Sequence, residues 1–239
     1  MAAIARVGFV QPTTRLIGNG LRGRASAGRF RGGSKVAIDR RLRMATELSP
    51  LDSGYISTLP KGQQAAITLG ISVGIALGTV ALIDLVVPVL RHAPYALPAS
   101  RLLGFVYAFA GFGHFQYLDG FCKVMPERGE WGWWYLPGSA KFHVLWTGVA
   151  EIAGGLAVLG GDLPFIPLWV GPWGAAGLFL LTICVTPANL RSITHGESGP
   201  VKEMTGQEAT IPAPAHVFRA LLQCGLLAIL YSMATGYHP

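Results

Sequence analysis

Five stretches of this chain are too long and too apolar for the surface of a water-soluble protein. They lie at about 65–90, 102–118, 142–159, 165–185 and 217–234. A bilayer core about 30 Å thick is crossed by about 20 apolar residues in helical form. Inside it each backbone N–H and C=O must be satisfied, which helices do within a single segment. The fold class expected is therefore all-α, a polytopic membrane helix bundle. Composition agrees: 51% of residues are apolar and 13% are charged, against about 25% charged in ordinary soluble domains. The bilayer is thus the first partner, and no stretch is left over for a soluble domain.

The net charge of +7 suggests nucleic acid until its distribution is considered. Ten Lys and Arg fall within residues 1–43, with Asp39 as the one acid; the remainder holds nine basic and eleven acidic residues. The basicity belongs to the N-terminal extension, and no nucleic-acid partner is expected. That extension is rich in Arg, Gly, Ser and Ala and too poor in large apolar residues to build a core. Arg-rich, Ser-containing, acid-poor composition is the pattern of an organelle transit peptide; a basic tail is the plain alternative. The stretch "RLRMATE" around Met44 resembles processing sites of algal plastid precursors. It favours a plastid membrane (thylakoid or envelope) over the mitochondrial inner membrane. Met44 also reads as an internal start. Residues 44–64 are then a short segment before the first helix.

Loop charge sets the expected topology. The side holding residues 44–64 also receives the second-to-third and fourth-to-fifth loops. It collects Lys61, Lys123, Arg128, Lys141, Arg191, Lys202 and Arg219, while the opposite side has Arg91 and Arg101. The positive-inside rule places the mature N-terminus in the stroma, matrix or cytosol and the C-terminus across the membrane. "EWGWWYLP" reads as an aromatic belt at the interface, with Trp131, Trp133, Trp134 and Tyr135. The long loop at 191–216 reads as exposed and irregular. Gly70, Gly74, Gly78, Gly111, Gly113, Gly154, Gly155, Gly174 and Gly177 lie in or at the ends of apolar helices, where glycine usually marks close packing.

Ionisable groups at membrane depth are costly and usually paired or functional. On the third segment His143, Thr147 and Glu151 follow at spacings of four and share a face. His114 ends the second segment on the positive side. "TPANLR" puts Asn189 and Arg191 at the end of the fourth, and Arg219 and Gln223 open the fifth one turn apart. Five groups are expected to converge at one end of the bundle: His114, Glu151, Asn189, Arg219 and Gln223. Each also has a plain structural reading. Glu151 would pair with Arg219 or accept hydrogen bonds from neighbouring helices as a polar pin, or face a ligand cavity. His114 would be a helix-end hydrogen-bonding group rather than a metal or haem ligand, since haem wants a second axial group and His143 is the nearest histidine. Asn189 would cap its helix, and Arg219 would snorkel to the interface. Asp84 reads as interfacial; His195, His216 and His238 read as loop or tail residues. Cys122, Cys184 and Cys224 form no CxxC pair, so no dithiol centre is expected. No zinc, phosphate-loop, nucleophile-elbow or dinucleotide pattern is visible.

Four of these short patterns, in this order, resemble DoxX-like membrane proteins. "RLLGFVYAFAGFGHF" is similar to that family's first helix, and "KVMP" to the Met-Pro after it. "LWTGVAEIAGGLAVLGG" resembles the second helix with its Gly-x-x-Glu, here Gly148 and Glu151. "LTICVTPANLR" resembles the Pro-Ala-Asn ending of the third, and "VFRALLQCGLLAILYS" the Arg-x-x-x-Gln of the last, here Arg219 and Gln223. The resemblance covers about 101–235 and implies a four-helix bundle. The chain departs from it by a further N-terminal transmembrane helix, 65–90, and by the transit-like extension.

Some relatives resemble the small subunit of a thiosulfate:quinone oxidoreductase or partner with redox proteins in membranes, so fold speaks louder than activity here. The first expectation is a non-catalytic subunit or assembly factor of a membrane redox or photosynthetic complex, assembled with other membrane subunits. The alternative is a quinone-linked oxidoreductase subunit, with a quinone as cofactor near Glu151 and the five polar groups around it. Neither assigns a catalytic residue or a metal. A solute transporter is the weakest fit, because no inverted repeat is apparent.

Overall fold

The computed structural model describes residues 52–92, 96–161, 163–207 and 211–235, with the side chains of 86, 87, 89–100 and 213 outside that description. The transit-like extension 1–43 and the start of the 44–64 segment lie outside the described residues. Nine helices are described: α1 (Tyr55–Thr58), α2 (Lys61–His92), α3 (Ala96–Gln116), α4 (Leu118–Lys123), α5 (Ala140–Gly160), α6 (Val170–Cys184), α7 (Thr186–His195), α8 (Val201–Thr205) and α9 (Ala213–Ala234). There is no strand among the described residues, only an isolated bridge between Glu130 and Trp134.

Among the described residues four helical stretches are long and apolar enough to cross a membrane: Lys61–Leu85, Ala140–Gly160, Val170–His195 and Pro214–Ala234. The stretch expected at 102–118 is α3, whose 21 residues extend about 30 Å at 1.5 Å per residue. The long helices pack in sequence as neighbours: α3 on α5, α5 on α6, α6 on α9, and α9 on α2. The core forms where α3, α5, α6 and α9 meet, around Leu103, Tyr107, Val158, Ala175, Leu178, Leu181 and Leu230. Tyr107 buries its hydroxyl there, 2.7 Å from Thr182 Oγ1. The α2 span keeps the smallest buried share of the four. It touches α9 through Gly78, where a Cβ would lie 3.1 Å from Cys224 Sγ.

Two glycine pairs set the distance between α3 and α5. A Cβ on Gly155 would lie 2.5 Å from the Gly104 carbonyl oxygen, and one on Gly111 would lie 2.6 Å from that of Gly148. The pairs are seven residues apart on both helices, so the antiparallel backbones touch twice, two turns apart. Between α5 and α6, Gly174 meets Ala157 and Gly154 meets Leu178. The expectation fails at Gly70, Gly74, Gly113 and Gly177, where a Cβ would meet nothing within 4 Å. Those glycines point away from the helix–helix contacts.

The segments before α2, between α3 and α5, and between α6 and α9 lie at one end of the bundle and fold into a cap. Gly54 N–H donates to the Ile193 carbonyl at 3.0 Å. Trp131 Nε1–H donates to Thr194 Oγ1 at 3.1 Å, and Trp133 Nε1–H to Thr68 Oγ1 at 3.0 Å. The expected aromatic belt is therefore corrected. Trp131 is 0% exposed, and of the four aromatics Tyr135 alone is mostly exposed, at 60%. The indole N–H groups find protein partners, which draws the rings inward. Trp131 reaches that position with φ +53°, between Gly129 and Gly132 at positive φ. The loop at 191–216 is also less irregular than expected: α7 runs to His195, α8 follows, and Pro200 packs on Gly120 of α4.

Candidate functional site

The bundle's cap end brings the polar groups together in two clusters rather than one. The first belongs to α3 and α5. His114 sits in the last turn of α3, 8% exposed, and Glu151 lies midway along α5, also 8% exposed. The His114 ring is held at Nδ1, 2.9 Å from the Val144 carbonyl and 3.2 Å from Thr147 Oγ1. A carbonyl only accepts, so this contact fixes the proton on Nδ1. That leaves Nε2 directed at Glu151 Oε2, 3.5 Å away. Phe121 of α4 covers the imidazole, ring centre to ring centre 4.1 Å. The Gly111–Gly148 contact makes the arrangement possible, because it lets α3 approach close to Glu151.

The second cluster joins α7 to α9. Pro187 falls in the first turn of α7, where its missing N–H costs no helical bond. The helix therefore restarts at Thr186 and carries Asn189 in its middle. Asn189 is thus a bridging side chain and not the expected cap. Its Nδ2 donates to Gln223 Oε1 at 3.0 Å, and its Oδ1 accepts from Arg219 Nη2 at 2.6 Å. Gln223 Nε2 donates to Thr186 Oγ1 at 2.6 Å. Arg219 consequently pairs with Asn189, which corrects the expected pairing with Glu151 and the expected snorkelling. The partner of Glu151 among the described ion pairs is His114.

Both clusters wall one cavity of about 880 Å3. Its lining includes His114, Thr147, Glu151, Asn189 and Arg219, set among Phe121, Val144, Trp146 and Ile183. Gln223 is not in that lining; it stands behind Asn189 and holds it. Four of the five expected residues thus face one space, and the fifth positions one of them. An apolar cavity of several hundred Å3 with a few convergent polar groups is the usual form of a small-molecule site. Arg219 has five N–H donors, and its bond to Asn189 uses one. Among the described residues no group of three or more His, Cys, Asp or Glu side chains could hold a metal ion.

A third polar cluster escaped the sequence. Glu130, 5% exposed, binds Arg191 Nη1 through Oε2 and lies 3.0 Å from His195 Nδ1 through Oε1. Burial pushes the Glu130 carboxyl up. The hydrogen bonds from His195 and from the Glu127 N–H, with the charges of His195 and Arg191, outweigh it and hold the group below its ordinary value. Arg191 and His195 stand one turn apart on α7, so their shared face was readable, but their acidic partner, 61 residues upstream of Arg191, was not. His216 is likewise no loop residue: it is 6% exposed in the first turn of α9, with Nε2 2.9 Å from Ser53 Oγ. Asp84 is exposed on α2.

No family model, curated protein or solved structure matches the chain.

Proposed function

We propose that the chain is a DoxX-like membrane subunit of a plastid redox or photosynthetic complex, and that its cavity takes the head group of a quinone. One observation carries this: the Arg219–Asn189 and His114–Glu151 pairs line the same, otherwise largely apolar, cavity within the membrane bundle. A quinone presents two carbonyl acceptors on an apolar ring with an apolar tail. The spare guanidinium N–H groups of Arg219 suit the carbonyls, and the aromatic and aliphatic walls suit the ring. The four short sequence patterns of the DoxX-like resemblance contribute His114, Glu151, Asn189 and Arg219 to this one cavity, which supports reading them as a single site.

Reduction of a quinone to its quinol takes two electrons and two protons. The electrons would come from a partner oxidoreductase subunit carrying a redox centre, so the chain acts as a subunit and not as a whole enzyme. Titration with decylubiquinone in nanodiscs, followed by quenching of tryptophan fluorescence, tests the site, since Trp146 is in its wall. We expect saturable quenching, weakened at least tenfold in Glu151→Gln and in His114→Ala. Quenching that does not saturate, or that both variants leave unchanged, would sink the proposal.

A further inference from the structure

A second cavity, of about 580 Å3, lies on the cap side of the first. Its walls include Lys123, Glu127, Arg128, Arg191 and Glu197, the charged groups of the cap. The two cavities share a wall of five residues: Met125, Pro126, Trp134, Leu136 and His143. Four of these cannot take up and release a proton. His143 can, and its ring is set to do so. Its Nε2 donates to the Pro137 carbonyl at 2.7 Å, and its Nδ1 accepts from Trp146 Nε1–H at 3.2 Å. The neutral ring thus offers one basic nitrogen, guarded by a weak indole donor. From His143 the same face of α5 leads to Thr147 and then Glu151, about 12 Å along the axis at 1.5 Å per residue.

We infer that His143 is the inlet through which the His114–Glu151 pair exchanges its proton with the aqueous side bearing the cap. The inference deepens the quinone reading and rests on it for its purpose, because a quinone that is reduced must be supplied with protons. The step is a transfer of one proton. It enters the outer cavity, binds Nδ1 of neutral His143 and displaces the Trp146 N–H. The imidazolium then releases a proton into the inner cavity, which is large enough for water to carry it onward. It adds to the pair, where Nδ1 of His114 already holds its proton against Val144 and Nε2 and the Glu151 carboxylate are open to receive it. The ionisable groups around that pair are Tyr107 from α3, His143 from α5, Cys184 from α6 and Arg219 from α9. Phe121 of α4 and Thr182 of α6, which pack nearby, do not titrate.

The test is a pH jump on the full chain in nanodiscs, followed by time-resolved infrared absorption. Bands that Glu151→Gln removes report the carboxyl group. In the wild type these bands should respond to the jump. In His143→Phe the response should slow at least tenfold, and free imidazole in the buffer should restore it. His143→Gln serves where the phenylalanine variant loses its helical circular dichroism. A response equally fast in a folded His143 variant overturns the inference. So does failure of imidazole to restore it, or a wild type whose Glu151 bands ignore pH between about 4 and 10. Wild-type decylubiquinone titration separates the two ideas. If no quinone binds but the response stays dependent on His143, the quinone reading fails and the inlet stands. If quinone binds and the response ignores His143, the reverse holds.

Discussion

Replacing Gly155 by alanine tests the packing that holds the site together. An added Cβ would lie 2.5 Å from the Gly104 carbonyl oxygen and 2.6 Å from the Ala108 nitrogen, while ordinary contact begins at 3.4 Å. Both obstacles are backbone atoms, which cannot rotate aside, so α3 and α5 must separate by about 1 Å. Overpacking of this kind costs about 1–3 kcal/mol. Alanine returns about 1 kcal/mol over glycine through helix propensity, so the net loss is about 0–2 kcal/mol. Gly113→Ala makes the matched control. It lies on α3 with nothing within 4 Å, and it receives only the propensity gain. The two variants should therefore differ by about 2 kcal/mol, more than a tenfold ratio in the unfolding equilibrium. Reversible SDS unfolding in mixed micelles, read by helical circular dichroism, measures this. Equal midpoints for Gly155→Ala and Gly113→Ala would refute the close crossing. Gly111→Ala adds a functional readout. Its Cβ would meet the Gly148 carbonyl at 2.6 Å and Glu151 Cβ at 2.9 Å, so it should weaken quinone binding as well as stability.

Two other expectations concern the cap. The Glu130 carboxyl is held below its ordinary value. A depressed carboxylate contributes stability that is present above the unfolded value and lost as pH falls through the folded one. Unfolding midpoints should therefore drop as pH is lowered below about 4.3, and Glu130→Gln should remove that part of the slope while costing about 1–3 kcal/mol at neutral pH, because Arg191 is left with the exposed Glu127 carboxylate alone; an unchanged slope would count against the network. Burial raises the Cys122 thiol, and the charge of Asp119 adds to it. In a Cys184→Ser/Cys224→Ser background, iodoacetamide should alkylate Cys122 several-fold more slowly than free cysteine at pH 8, and Asp119→Asn should speed the reaction.

What was legible in the sequence is what the bilayer itself enforces. The apolar stretches had to be helices, since no other local structure satisfies their backbone in hydrocarbon. The loops on one side had to share a cap, because an even number of crossings returns the chain to that side. His114 and Glu151 could be placed together from their depths along adjacent helices. Partner choice was not legible in the same way. Whether Arg219 meets Glu151 or Asn189 depends on how α9 is turned about its axis, at about 100° per residue, and on α7 continuing beyond Pro187. Trp131 looked like an interfacial ring because its partner, Thr194, stands 63 positions away on a helix whose length the sequence understated. Composition alone could not tell the close-packing glycines from the open ones, since facing depends on rotation. The spacing of seven between Gly104 and Gly111 and between Gly148 and Gly155 was a readable signal for the pairs that do touch.

The loss of the Glu151–Arg219 pairing changes what Glu151 is for. A carboxylate pinned to an arginine would be structural, and its removal would strand a buried charge at a cost of about 3–5 kcal/mol. Here Arg219 already has Asn189, and Glu151 Oε2 makes no hydrogen bond, its neighbour being His114 Nε2 at 3.5 Å. His114 keeps its own bond to Val144 whether or not Glu151 is present. A buried polar atom that makes no hydrogen bond carries a desolvation penalty, which an apolar side chain of similar size does not. Glu151→Leu should therefore unfold no more easily than the wild type in SDS titration, while losing decylubiquinone binding. Glu151→Leu that unfolds several kcal/mol more easily would return Glu151 to the role of a pin. A fold that is unharmed or strengthened, with the ligand lost, would mean that this carboxyl group is carried in the membrane for what enters the cavity.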